Sequence, residues 1–116
     1  MMKQHPFTVF VHLKADIRWL ALSRAERQQF TATKVFPLLQ KYPDIRHAHF
    51  DAEAFSTLAS DIEMFSCADL RRFYAFFEEF RDCDLIAQGY FTIVNIFPTI
   101  ADGYVEFENA SADTSH

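Results

Sequence analysis

The sequence predicts one α+β domain with the element order β-α-β-β-α-β, and three observations carry that expectation. Four runs rich in β-branched and aromatic residues alternate with two amphipathic stretches of helical period. Each helical stretch is preceded by a serine three residues ahead of an acidic residue, the pattern of a capping box. The chain has 116 residues, enough for one hydrophobic core and not two.

The first strand is Phe7-Thr-Val-Phe-Val-His-Leu13. Ser23-Arg-Ala-Glu26 then caps a helix in which Ala25, Ala32, Phe36 and Leu39 recur at helical spacing. Pro37 must kink or restart that helix, because it lacks a donor and clashes with the carbonyl of Thr33. Tyr42-Pro43-Asp44 closes it, and Ile45 to Phe50 is a second extended run. Residues 51–60 carry no decisive period and stay unassigned. Asp61 to Phe65 reads as the third strand. Ser66-Cys-Ala-Asp69 repeats the capping pattern, and Leu70, Phe73, Tyr74, Phe77 and Phe80 form a wide apolar stripe. Tyr90 to Phe97 is the fourth strand, ended by Pro98, and Tyr104 to Phe107 adds a short turn or helix. The domain is thus expected over residues 1–108, with 109–116 a flexible tail.

This order is a split βαβ unit of the ferredoxin-like type, with a four-stranded antiparallel sheet. Right-handed crossovers put the first and third strands at its centre and both helices on one face. The other face of a monomer should be polar. Here Phe7, Val9, Val11 and Leu13 oppose Thr8, Phe10 and His12, while Phe91, Ile93 and Phe97 oppose Tyr90, Val94 and Ile96. Both sets are largely apolar, so a homodimer closing through the sheets is expected.

Composition excludes several functions. With only 2 Gly in the chain, Gly89 and Gly103, neither a P-loop nor a GxGxxG fingerprint can be written, and no GxSxG elbow exists. A net charge of −5 argues against a nucleic-acid partner. The third strand carries Asp61 and Glu63 in place of a basic-aromatic RNA-binding pattern. The run Phe7–Leu13 is too short and too polar for a signal peptide or a membrane span. Cys67 and Cys83 form no CxxC, so the expected location is the reducing cytoplasm, away from any membrane.

Several stretches resemble a known family. Thr8-Val-Phe-Val-His-Leu13, Trp19-Leu-Ala-Leu-Ser-Arg-Ala-Glu-Arg27, Lys41-Tyr-Pro-Asp-Ile-Arg46, Asp51-Ala-Glu-Ala-Phe55 and Asp102-Gly103 are similar to the darcynins, small bacterial proteins of uncharacterised function. The resemblance runs over about residues 7–108 and implies a dimeric α+β barrel, an architecture shared by cofactor-free monooxygenases, isomerases and haem enzymes. It implies no catalytic residue.

Three sets of residues could carry chemistry. His47, His49 and Asp51 fall on one face of the second strand, and two histidines with a carboxylate can bind zinc or iron. Ligands at i, i+2 and i+4 on a straight strand span about 13 Å, however, so one ion cannot bind all three without a bend, and a two-ligand site needs a further His or Glu from a neighbour. The sequence alone therefore assigns no metal and no cofactor. His12 lies on a central strand, and antiparallel pairing could bring Glu63 beside it as the orienter of a general base, with Asn95 as a second orienting group. Trp19, Phe73, Tyr74 and Phe77 could line an aromatic pocket between helix and sheet, although such spacing is also that of a core.

Together these predict a small cofactor-independent enzyme acting on a hydrophobic or aromatic small molecule, with His12, Glu63 and Asn95 catalytic. The alternative is a non-catalytic small-molecule-binding or assembly protein, in which the aromatics are core and the histidines incidental.

Overall fold

The computed structural model describes residues 4–114. Strand β1 (Phe7–Ala15) runs between β3 (Asp61–Cys67) and β4 (Phe91–Ile100), and β2 (Arg46–Asp51) lies outside β3. Every neighbouring pair is antiparallel, giving the order β2-β3-β1-β4 with the first and third strands central, as expected. Short helices α1 (Ile17–Leu20), α2 (Arg24–Phe30) and α3 (Phe36–Lys41) follow β1. The longer α4 (Leu70–Asp82) and short α5 (Asp84–Ala87) follow β3, and α6 (Gly103–Thr114) follows β4. No described helix is long and apolar enough to cross a membrane.

One face of the sheet makes the core. Val9, Val11 and Leu13 of β1 and Phe65 and Cys67 of β3 are buried against Phe73, Phe76, Phe77 and Phe80 of α4. These four phenylalanines recur at helical spacing, so one side of α4 is a continuous aromatic ridge. Phe76 sits 4.9 Å from the Phe65 ring, and Phe73 stacks on Phe77 at 5.2 Å. Arg72 grips Asp44 through two 2.8 Å bonds, which ties α4 to the turn before β2 and holds that carboxyl down at a pKa of about 2.

Local chemistry explains the helix ends. Ser23 and Glu26 form the expected capping box at the start of α2. The second predicted box does not form: Asp69 caps α4 by accepting from the Arg71 amide, while Ser66 stays in β3 and bonds Thr8 across the strands. Between α2 and α3, residues Thr31–Val35 form a π-helical turn in which the Phe36 amide donates to the Thr31 carbonyl. Pro37 is the cause. A tight α-turn would press its ring on the Thr33 carbonyl, and widening the turn by one residue relieves that clash.

One expectation about the C-terminal part is corrected. Strand β4 continues through Pro98 to Ile100, because β4 is an edge and Pro98 needs no donor there. Helix α6 runs to Thr114 and Tyr104 to Ser111 are all exposed, while residues 115–116 of the expected tail lie outside the described residues. Asp51 ends β2, and residues 52–60 form a turn closed by the Ala52 amide on the Ser60 carbonyl at 2.8 Å.

A bulge in β4 changes which residues share a face. His12 pairs with Asn95 but Leu13 pairs with Ile93, so Val94 is an extra residue on the β4 side. Phe91 and Ile93 therefore face the helices, whereas Asn95 and Phe97 lie on the opposite face with His12. On that open face Phe10, Ile62 and Met64 are only half-buried, and Phe50 and Phe97 remain 50% and 48% exposed. Helices bury one side of the sheet and leave a largely apolar second side uncovered.

Phe76 is 1% exposed at the centre of the aromatic ridge. Replacing it with alanine is expected to cost about 3–5 kcal/mol in a urea melt. A loss below about 1 kcal/mol would show that α4 repacks freely.

Candidate functional site

Period-two geometry sorts the charged residues of the sheet between its faces. Val11 pairs with Glu63 and His12 with Ile62, so Glu63 points to the helix side and His12 to the open side. The expected His12–Glu63 pair does not form. His12 lies 5.1 Å from the Phe97 ring, with Asn95 as its cross-strand neighbour, and neither borders the cavity on the helix side.

Glu63 has different partners. His49 is its cross-strand neighbour on β2, and His47 lies two residues away on the same face. His47 Nε2 is 2.7 Å from one oxygen of Glu63, and His49 Nδ1 is 2.5 Å from the other. Glu63 is 8% exposed, the buried acid of this core, and both oxygens are satisfied by imidazole. The His47 ring also stacks on Phe65, centroids 5.1 Å apart.

Next to this cluster lie three more groups, Asp51 and Asp61 on the strands and Ser60 just before β3. Asp51 pairs with Asp61 across β2 and β3. His49 Nε2 lies 3.1 Å from Asp51 Oδ1 and 3.4 Å from Asp61 Oδ1. The second oxygen of Asp61 accepts from the Ser60 hydroxyl at 2.6 Å. Burial pulls the His49 pKa down, but the charge and hydrogen bond of Glu63, with Asp51 and Asp61, outweigh it and raise it above 6.5. Asp61 is also pushed up, first by burial and then by the neighbouring carboxylates, against the Ser60 bond and His49.

These groups form one end of a cavity of about 380 Å³ between sheet and helices. Its floor is Leu13, Phe65 and Phe91, and its walls are Trp19 of α1, Phe36 and Leu39 of α3, Phe80 of α4 and Leu85 of α5. Thr31 and Val35 also line it, so the π-helical turn forced by Pro37 supplies part of its wall. His47, His49, Asp61 and Glu63 are its polar lining. Of the four aromatic residues expected to line a pocket, Trp19 does so. Phe73 and Phe77 are packed in the core, and Tyr74 is 67% exposed. Burial pushes both cysteine thiols up, away from the thiolate form.

Comparison with known proteins gives the relatives of this arrangement. The family model for darcynin, a domain of unknown function, matches residues 2–114. Darcynin 1 of Acinetobacter baumannii is 42% identical over 90 residues, covering 78% of this chain and all of that protein. Among solved structures, a mutant chlorite dismutase from Candidatus Nitrospira defluvii has a TM-score of 0.70 at 16% identity, over 90% of this chain and 45% of that one. A haem-binding protein from Thermus thermophilus has a TM-score of 0.73 at 14% identity, over 85% and 41%. The dimeric chlorite dismutases from Nitrobacter winogradskyi give 0.65 at 12%, over 83% and 57%. The chain spans about half the length of these structures, and at such identity the likeness is one of fold.

A raised histidine pKa stabilises the folded state below that pKa and ceases to do so above it. In chelator-treated buffer, the His49 ring protons should titrate with a midpoint above 6.5, and the thermal midpoint should fall as pH rises through that value. Asp61→Asn should lower the His49 midpoint. A His49 midpoint at or below 6.5 would contradict the geometry.

Proposed function

The chain belongs to the darcynin family, and from that footing we propose that it is a small enzyme acting on a largely apolar or aromatic small molecule by proton transfer. The observation that carries this reading is the cavity itself. Aromatic and aliphatic walls end in a carboxylate held on both oxygens by imidazoles. A cavity of about 380 Å³ is in the range that takes small organic ligands.

The roles follow from position. Glu63 is the base: a carboxylate has about four acceptor sites, so two imidazole bonds leave room for a proton from the ligand. His47 and His49 fix both oxygens and keep the carboxylate from turning away, and the chain of hydrogen bonds gives the proton a route outward. The apolar walls bind the body of the molecule and exclude water, which strengthens each electrostatic contact at the polar end. A carbonyl compound with an acidic C–H beside it suits this layout, since its polar head meets the carboxylate while its body meets Trp19 and the phenylalanines.

Haem, named for one structural neighbour, does not fit these residues. His49 Nε2 faces two carboxylate oxygens at 3.1 and 3.4 Å, which leaves a macrocycle no room on that nitrogen. Among the described residues, no lysine or arginine lines the cavity to pair with propionates.

The uncovered face points to a second copy of the chain as partner. Phe10, Phe50, Ile62, Met64 and Phe97 form one apolar surface across all four strands, and a monomer seldom leaves such a surface in water. A two-fold axis through that face would pair like with like. It lies opposite the cavity, so association and chemistry use different sides of the sheet.

Two experiments test the reading. Enolisable aromatic ketones in D₂O should gain deuterium in the presence of the protein. Glu63→Gln should slow that exchange by at least about 10²-fold. Ligand binding without Glu63-dependent exchange would favour the non-catalytic alternative, and no binding at all would remove both. Light scattering should give twice 13.5 kDa, reduced to 13.5 kDa by Phe97→Asp. A wild-type monomer at micromolar concentration would refute the dimer.

A further inference from the structure

The same polar end carries a second arrangement that proton transfer by Glu63 does not use. Glu63 occupies His49 Nδ1 at 2.5 Å, so in the neutral ring Nδ1 is the donor and the Nε2 lone pair turns outward. That lone pair meets Asp51 Oδ1 at 3.1 Å and Asp61 Oδ1 at 3.4 Å. Three acceptor atoms converge, and the neighbouring Ser60 hydroxyl is spent on the other oxygen of Asp61. Such a cluster needs a cation at its centre, whether a proton or a metal ion.

We propose that His49, Asp51 and Asp61 bind a first-row divalent cation, with Glu63, His47 and Ser60 holding those ligands in place. Distances support an ion. Ligands at about 2.0–2.2 Å from a tetrahedral or octahedral centre lie roughly 3.0–3.5 Å from one another, the separation His49 Nε2 keeps from both carboxylates. The ligand atoms of all three residues lie within 4.8 Å of one another. The supporting contacts are those of protein metal sites, in which a ligating histidine gives its other ring N–H to a carboxylate. Glu63 does this for His49, His47 anchors Glu63, and Ser60 turns Asp61 so that Oδ1 faces inward.

Access and charge agree with this. Asp51 is 80% exposed at its side chain and His49 44%, so an ion has an entry path and keeps open positions. Two carboxylates balance a divalent charge, and one imidazole nitrogen with two oxygens suits zinc, manganese, cobalt or ferrous iron over the all-oxygen shell of calcium. Two of the ligands, His49 and Asp61, also line the polar end of the cavity, where the ion would hold the oxygen-bearing head of the ligand. Only that last role rests on the enzyme reading. Ion binding itself stands or falls separately.

Cobalt(II) and manganese(II) are the probes. Titrated into chelator-stripped protein, Co²⁺ should bind at one equivalent per chain with a visible d–d absorption that Zn²⁺ abolishes. Asp61→Asn should weaken binding by at least about 10-fold, and Glu63→Gln by about 10–100-fold. Circular dichroism must show both variants folded. Independently of any variant, substoichiometric Mn²⁺ should broaden the ring resonances of His49 and His47 before that of His12. Failure to saturate at millimolar Co²⁺, or Mn²⁺ broadening that spares His49, overturns the site. Either result leaves Glu63-dependent deuterium exchange untouched, so the two readings fail separately.

Discussion

Burial of the Glu63 carboxylate among hydrocarbons is the constraint on which the site depends. A carboxylate taken out of water costs several kcal/mol or more unless donors replace its hydration. The register of β1 and β3 sets this requirement, because the pairing that buries Val9, Val11, Phe65 and Cys67 also turns Glu63 inward. Slipping that register by one residue would relieve Glu63 and expose the entire core face, which is the costlier outcome. The core therefore fixes the acid, and the acid fixes the two imidazoles that satisfy it.

Strand β2 meets that demand. Its apolar content is low and its residues are mostly exposed, so packing alone gives it little reason to dock. Pairing with β3 supplies the backbone bonds, and His47 and His49 add side-chain bonds to the buried acid. The same register carries Asp51 to Asp61 at the end of the ladder. Two acids opposite each other would weaken a strand pair. Here His49 stands between them, and either a proton on its imidazole or a divalent ion would relieve that repulsion.

Much of this fold is legible in the residues. The β-branched and aromatic runs, the Ser23 cap and the period of Phe73 to Phe80 specify the element order, and the central place of β1 follows from it. The candidate site is only half legible. His47, His49 and Asp51 stand out through period two, but their common partner depends on the β2–β3 register, which no local pattern reveals. Glu63 stands out as a polar residue in a strand, yet antiparallel pairing alone matches it to the wrong histidine, because pairing fixes neighbours while parity fixes faces. Simple alternation puts Asn95 and Phe97 on the face of Phe91 and Ile93, and the extra residue at Val94 reverses that alternation midway. Asp61 reads only as a strand residue, since its role comes from the neighbour across the ladder.

The bulge and the proline act on opposite sides of the sheet with complementary results. Without Val94 as an extra residue, Asn95 and Phe97 would turn toward the helices, and Ile96 would join the open face. With it, Phe97 extends the apolar patch of Phe10 and Met64, and His12 stands within that patch at 5.1 Å from the Phe97 ring. On the helix side, Pro37 widens one turn and brings Thr31 and Val35 to the cavity wall. A straight α-helix would advance every later side chain by a different angle and change which residues meet the floor. Two local departures from regular geometry thus decide what each face presents: an apolar surface on one side, and a pocket ending in acids and imidazoles on the other. Phenylalanines serve both faces, Phe65 and Phe91 on one and Phe10 and Phe97 on the other, whereas the proposed chemistry uses only the face that buries Glu63.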